Sequence, residues 1–169
     1  KLQMKGELSA VSKVSVEEVE KIDSTSKVIS RSENVKNVAM FSDRVECVTK
    51  YLKKIGLPSE VRREIIESFD ISTMSLETIG ENAFGIRFYG GGAKACGPYL
   101  FETFTSEVNR ANLALPPEWN SMSNFKQWKI KPGITVIKGR AAPQMEFGSQ
   151  YIGGARQIWV PNPSENLIE

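Results

Sequence analysis

Histidine is missing from all 169 residues, and that absence excludes more chemistry than any single residue present establishes. Without an imidazole there is no Ser-His-Asp triad, no Cys-His dyad, no histidine zinc site and no two-histidine ribonuclease centre. Catalysis has to rest on carboxylates, Arg and Lys, Gln and Asn, or hydroxyls. Cysteine is scarce as well. Cys47 and Cys96 form neither a Cys-x-x-Cys pair nor a metal-ligand spacing, and the sequence leaves a disulfide between them open. No apolar run reaches transmembrane length and no secretory leader is recognisable, so stable membrane association is not expected. The chain starts at Lys1 and reads as a fragment excised from a longer protein.

Charge of one sign is also in short supply. The formal net charge is +2, far from the strongly basic balance of a nucleic-acid binder. Lys50, Lys53 and Lys54, then Arg62 and Arg63, make local basic clusters, but both fall in helical patterns and read as solvated helix faces. With 40% hydrophobic and 25% charged residues, the composition is that of a globular chain able to bury a core.

Aromatic residues are absent from residues 1–40, a Ser-, Val-, Glu- and Lys-rich stretch that reads as a polar leader or linker. From Ser42, a candidate N-cap, apolar residues recur at helical spacing: Val45, Val48, Leu52 and Ile55, with Gly56 as the stop. A second helix follows Leu57-Pro58-Ser59, with Val61, Ile65 and Phe69 on one stripe and an exit over Asp70–Ser75. Residues 41–80 are therefore expected to form a helical hairpin. After Gly80 the pattern turns to strands. Phe84, Ile86 and Phe88 alternate with Gly85, Arg87 and Tyr89. Tyr99–Phe101, Phe125–Lys131, Thr135–Arg140 and Arg156–Val160 are further strand-like runs, and Pro132-Gly133 is a tight turn. Ser106–Leu115 fits a short helix or an ordered loop. Ala141–Gly154 is a long connection of the kind that carries function. The fold class expected is α+β, a small twisted antiparallel sheet packed with N-terminal helices, with residues 81–169 as the active domain.

Several residues are candidates for chemistry. Gly90–Lys94 is glycine-rich but lacks both the P-loop pattern and the dinucleotide fingerprint, so a plain hairpin loop competes with a phosphate cradle. Arg87 lies mid-strand among aromatics, where an unpaired charge is costly. Either a structural ion pair or an anionic ligand satisfies it, and a guanidinium fork suits pyrophosphate. Gln157 opens an apolar strand, where a surface role competes with a functional one. Glu102, Glu118 and Glu146 are the nearest acids, and none stands in a paired-carboxylate pattern.

The order of the pieces is more specific than any of them alone. Arg87-Phe88 is followed by Gly97-Pro98-Tyr99-Leu100, then by Leu113-Ala114-Leu115-Pro116-Pro117-Glu118. Strands with Trp128 and Val136 come next, then Ala142-Pro143, Gly153-Gly154-Ala155-Arg156-Gln157 and Val160-Pro161. This succession resembles the tuberculosis necrotizing toxin family of NAD glycohydrolases over about the last half of the chain. The resemblance implies that the family's essential arginine falls on Arg87 and its essential glutamine on Gln157. It implies further that Phe88 packs near the nicotinamide and that Tyr99 or Trp159 walls the leaving group. Lys94 and Arg140 are expected as additional substrate contacts, although no 2′-phosphate reader stands out among Lys94, Arg140 and Arg156. The family's tuberculosis member carries a site histidine that this chain lacks, and Arg156 interrupts the family's glycine run.

NAD(P)+ is then a substrate, with no cofactor and no metal. The first half resembles, more weakly, segments that precede toxin domains in contact-dependent growth inhibition effectors and other polymorphic toxins. That implies delivery from a producing bacterium into a target cell's cytoplasm and a cognate immunity protein as partner. Two rival activities remain at this point. An ADP-ribosyltransferase uses the same dinucleotide but usually needs a glutamate where Gln157 stands, and Glu165 lies beyond Pro161 and Pro163. A tRNA or rRNA nuclease toxin is opposed by the near-neutral charge. A non-enzymatic binding module is the third alternative.

Overall fold

The computed structural model describes residues 40–102 and 110–169. The leader reading for residues 1–40, all but its last residue, and the first part of Ser106–Leu115 therefore fall outside the described residues, and Arg110–Ala114 is a series of turns.

Helix α1 spans Ser42–Lys54 and α2 spans Ser59–Glu67. The strands are β1 (Ser75–Thr78), β2 (Ala83–Tyr89), β3 (Tyr99–Phe101), β4 (Asn124–Ile130), β5 (Thr135–Arg140), β6 (Arg156–Trp159) and β7 (Leu167–Ile168). They form one open antiparallel sheet in the order β1-β5-β6-β3-β2-β4-β7. A short helix, α3 (Pro163–Asn166), precedes β7. This is the α+β architecture that the alternation and the helical stripes imply.

The sheet carries a core on each face. Val45, Val48, Leu52, Ile65, Ile66 and Phe69 from the helical segment pack with Ile137 and Trp159. Leu100, Trp128, Ile130, Val136, Ile158 and Val160 gather in a second cluster. Ile137 and Val136 are adjacent in sequence, as are Trp159 and Ile158, and each pair divides between the two clusters. That is the period-two alternation of a strand buried on both sides.

Three local expectations are corrected. Ser42 is the first helical residue and not the cap; Phe41 holds that position and no side chain caps the helix. In α2 the buried set is Arg62, Ile65 and Ile66, with Phe69 just beyond, an i, i+3, i+4, i+7 stripe. Val61 lies one position off that stripe and is 37% exposed, and Ile55 is exposed as well. Arg62, read from sequence as part of a solvated face, is only 6% exposed and donates to the Leu57 carbonyl, bracing the turn between the helices. Lys50, by contrast, is exposed and pairs with Glu46.

Strand β1 was not anticipated. All four of its residues are exposed, so it lacks the apolar alternation that marks a strand. It is held as an edge against β5, with Ser75 opposite Lys138 and Thr78 opposite Thr135. Cys47 and Cys96 are both free thiols.

The inner stripe of α2 has a direct test in urea denaturation. Phe69→Ala should lower the unfolding free energy by about 3–5 kcal/mol through the cavity it leaves. Val61→Ala should change it by less than about 0.5 kcal/mol; equal effects would mean that the helix presents a different face.

Candidate functional site

One row of residues crosses the middle of the sheet on the side the helices cover. Ile86 pairs with Phe101, Phe101 with Gln157 and Gln157 with Gly139. Paired residues in an antiparallel ladder share a face, so all four point to the helix side. Gly139 is required there: a Cβ at that position would stand 2.9 Å from Phe69 Cδ1. Phe69 lies over the glycine, and the end of α2 is thereby brought down onto β6.

At that point Gln157 meets Ser68. Gln157 is 4% exposed, and its Nε2 donates to the Ser68 carbonyl at 2.9 Å. The same carbonyl accepts the Ala142 N–H at 2.9 Å. Tyr99 Oη donates to Ser68 Oγ at 3.0 Å, and Ser68 Oγ donates to the Ile65 carbonyl. Burial pushes the Tyr99 hydroxyl up to about 12, and the Ser68 hydrogen bond opposes that shift only in part. Among the described residues Gln157 Oε1 accepts no hydrogen bond.

The connection 141–154 closes this side. Its root is fixed by Ala141 N–H to the Ala155 carbonyl and Gly154 N–H to the Ala141 carbonyl. Gly153 and Gly154 have φ of +71° and +97°, and a Cβ on Gly153 would fall 2.4 Å from the Ala141 oxygen. The Gly-Gly pair is thus a backbone requirement of the neck. Gly153 and Ala155 also donate to the Ala111 and Asn112 carbonyls. Further out, Trp119 meets Phe147 edge to face at 4.7 Å. The loop is tied to the 110–123 segment at its root and again at its 3-10 turn, Met145–Phe147.

Arg87 sits elsewhere. It is opposite Lys126 in the β2–β4 ladder, one residue out of phase with Ile86, and so points to the other face of the sheet. Its Nε donates to the Lys94 carbonyl at 2.7 Å and its Nη1 to the Tyr99 carbonyl at 3.0 Å. Gly97 lies against the guanidinium so closely that a Cβ would stand 2.4 Å from Cζ. Desolvation lowers the arginine's pKa, and no carboxylate pairs with it among the described residues. The structural ion pair is not formed among the described residues; backbone carbonyls stand in its place. Arg87 is a strut that binds the Gly90–Pro98 loop to β3 where the β2–β3 ladder ends after its single pair.

The remaining expected contacts divide. Phe88 is half-buried on the Gln157 side, tilted against Phe125, and Asn120 Nδ2 holds its carbonyl at 2.7 Å. Lys94 is exposed. Arg140 Nη1 donates to the Gly154 carbonyl, closing the loop neck. Tyr99 and Trp159 belong to the helix-side packing, paired with each other two residues along from Phe101 and Gln157, with Trp159 at 5% exposure. They also line a groove of about 370 Å³ with Ile55, Leu57, Pro98 and Pro161. Of the acids, Glu102 is engaged by Arg156 at 2.6 Å and Lys138 at 3.4 Å, while Glu118 and Glu146 are exposed. Ser68 and Asn120, which organise the site, had no signal in the sequence: a serine after a helix and an asparagine in a loop are commonplace.

No family profile matches the sequence, and neither does any curated protein. Solved structures are similar to it, and the first of these supports a shared fold. Tse6 in complex with Tsi6 is 19% identical, with a TM-score of 0.58, over 76% of this chain and 96% of that one. Tne2 in complex with Tni2 is 15% identical, with a TM-score of 0.46, over 57% and 86%. Rhs1-CT, in complex with its cognate immunity protein RhsI1, is 19% identical, with a TM-score of 0.42, over 57% and 77%.

Two outcomes follow from this geometry. Arg87→Lys removes the two-pronged hold on Lys94 and Tyr99, so chemical denaturation should show a loss of about 1–3 kcal/mol; unchanged stability would mean that the guanidinium does not brace the loop. Tyr99 binds its proton more tightly folded than unfolded. Its contribution is complete below pH 10 and is lost as pH rises towards about 12. Thermal melts across that window should show a steeper decline for the native chain than for Tyr99→Phe.

Proposed function

We propose that this chain is a bacterial toxin domain that hydrolyses the nicotinamide–ribose bond of NAD(P)+ in the cytoplasm of a target cell. The observation that carries the reading is Gln157, a nearly buried amide at the end of the apolar row Ile86–Phe101, whose Nε2 is held by Ser68 and whose Oε1 accepts no hydrogen bond among the described residues. Support comes also from the ordered motifs between Arg87 and Pro161 and from a fold that spans nearly the whole of Tse6.

The chemistry asks little acid assistance of the protein. Nicotinamide leaves as a neutral molecule from a cationic glycoside, and water adds to the oxocarbenium-like sugar with loss of a proton to solvent. The domain has to hold the dinucleotide, exclude competing conformations and stabilise developing charge. Gln157 Oε1 accepts a hydrogen bond from the nicotinamide-side ribose or from the incoming water. Phe88 and Ile86 supply an apolar wall for the ring. Lys94, exposed on the glycine-rich loop that Arg87 braces, is available to the phosphates, and the 141–154 loop covers the site. In this reading Arg87 acts on the loop and not on the pyrophosphate.

A chain of this activity endangers the cell that makes it, which is the reason to expect a cognate immunity protein as partner. The transferase reading finds no added support. Glu165 is exposed within α3, beyond the end of β6, and gives the row no acid.

Purified protein should release nicotinamide from NAD, and EDTA should leave the rate unchanged. Gln157→Ala should lower kcat by about 10²–10³, the usual effect of removing one group that stabilises a transition state. Transfer of labelled ADP-ribose to protein, or RNA cleavage with NAD left intact, would overturn the assignment.

A further inference from the structure

We propose that Ser68 is a positioning residue that fixes which end of the Gln157 amide faces substrate and ties that choice to the root of the 141–154 loop. The catalytic consequence rests on the NAD-cleaving reading; the orientation itself rests on geometry alone.

Ser68 closes α2, with its N–H bonded back to the Glu64 and Ile65 carbonyls. Its side chain bridges Tyr99 and the Ile65 carbonyl. Its carbonyl takes two donors at 2.9 Å, Ala142 N–H from the loop and Gln157 Nε2 from β6. Three elements therefore meet on one oxygen. A carbonyl can only accept. Turned the other way, the amide would set Oε1 against that oxygen at the same distance, with two acceptors facing and no proton between them. The nitrogen is thus required at Ser68 whatever ambiguity attends an amide's two ends in general. Oε1 is left pointing away, and the site offers an acceptor. The ligand group it suits is a donor: a sugar hydroxyl, a carboxamide NH2 or a water.

The loop enters through Ala142. Because its N–H shares the Ser68 oxygen with Gln157, and because Phe69 and Ala141 form the adjoining bridge, displacement of the loop root shifts the carbonyl that orients the amide. Loop position and acceptor position are coupled through two hydrogen bonds.

Gln157→Glu separates this proposal from a merely structural glutamine. Protonated, the new side chain copies the amide, its O–H donating to Ser68 and its carbonyl accepting. Ionised, it sets a carboxylate against the Ser68 oxygen, so its pKa should stand above the ordinary value of about 4.3. The other charged groups nearby do not titrate across neutral pH in a way that imitates this. Tyr99 on β3 keeps its proton to about pH 12, Glu64 on α2 is exposed, and Arg140 and Arg156 point to the opposite face. The variant should retain nicotinamide release at low pH and lose at least tenfold in kcat as pH rises through its raised pKa, while the native enzyme stays level. Parallel profiles for the two would overturn the proposal.

A second measurement does not depend on activity. In 15N-labelled native protein, one Gln157 side-chain amide proton should be shifted and protected from exchange, and Ser68→Ala, which keeps the carbonyl, should leave that protection in place. Freely exchanging, equivalent protons in the native chain would overturn the proposal even if NAD is cleaved. Protected protons in a chain that does not cleave NAD would uphold the orientation and remove the enzymatic reading.

Discussion

Burial of the central strands on both faces is the constraint from which most of this structure follows. β3 and β6 lie inside the sheet, with the helices on one side and the second apolar cluster on the other. A polar side chain on such a strand has no water to fall back on, so it must find a partner in the protein. Gln157 finds the end of α2. Because a helix leaves its last carbonyls without intrahelical partners, the C-terminus of α2 is an acceptor-rich surface. An amide nitrogen is the natural complement, and the helix end, the loop root and the strand are joined by that one match.

Close approach is the second requirement, and glycine supplies it at two decisive points. At Gly139 the missing side chain lets Phe69 descend onto β5, which is what lowers Ser68 to within reach of Gln157. At Gly97 it lets the Arg87 guanidinium lie flat against the loop backbone. The two sites are on opposite faces and serve different ends, one completing the helix packing and the other anchoring a loop. Both replace a side chain with space, and each places a polar group where it can reach a carbonyl.

The features legible in the sequence were those with strong periodicity. β5 was readable to the residue at Thr135–Arg140, and β2, β3, β4 and β6 to within a residue or so at either end, because apolar and aromatic residues alternate in β2 and form short runs bounded by turn residues in the central strands. The α2 stripe was misjudged because Val61, Ile65 and Phe69 satisfy i, i+4 spacing while Arg62 does not look like a core residue. Only the packing shows that its stem is buried and its head meets the Leu57 carbonyl. β1 carried no pattern because an exposed edge strand has no face to bury. In the site, Gln157 and Phe88 were marked by motif order, whereas Ser68 and Asn120 contribute through backbone geometry that a linear reading does not contain.

Arg87 illustrates how a residue singled out for its charge can find partners that a sequence reading does not weigh. An arginine among aromatics on an inner strand does demand compensation for its charge. Carboxylate and phosphate are the obvious sources, but backbone carbonyls serve as well, since each carries a negative partial charge and costs little to hold rigid. The Lys94 and Tyr99 carbonyls are of this kind, exposed where β2 and β3 diverge after Ile86 and Phe101. A guanidinium there does what a longer β ladder would have done, and it anchors the glycine-rich loop at Lys94 while Gly91 and Gly92 stay at the surface. The position of Lys94 relative to the sheet is then set by an arginine that need not touch a ligand at all.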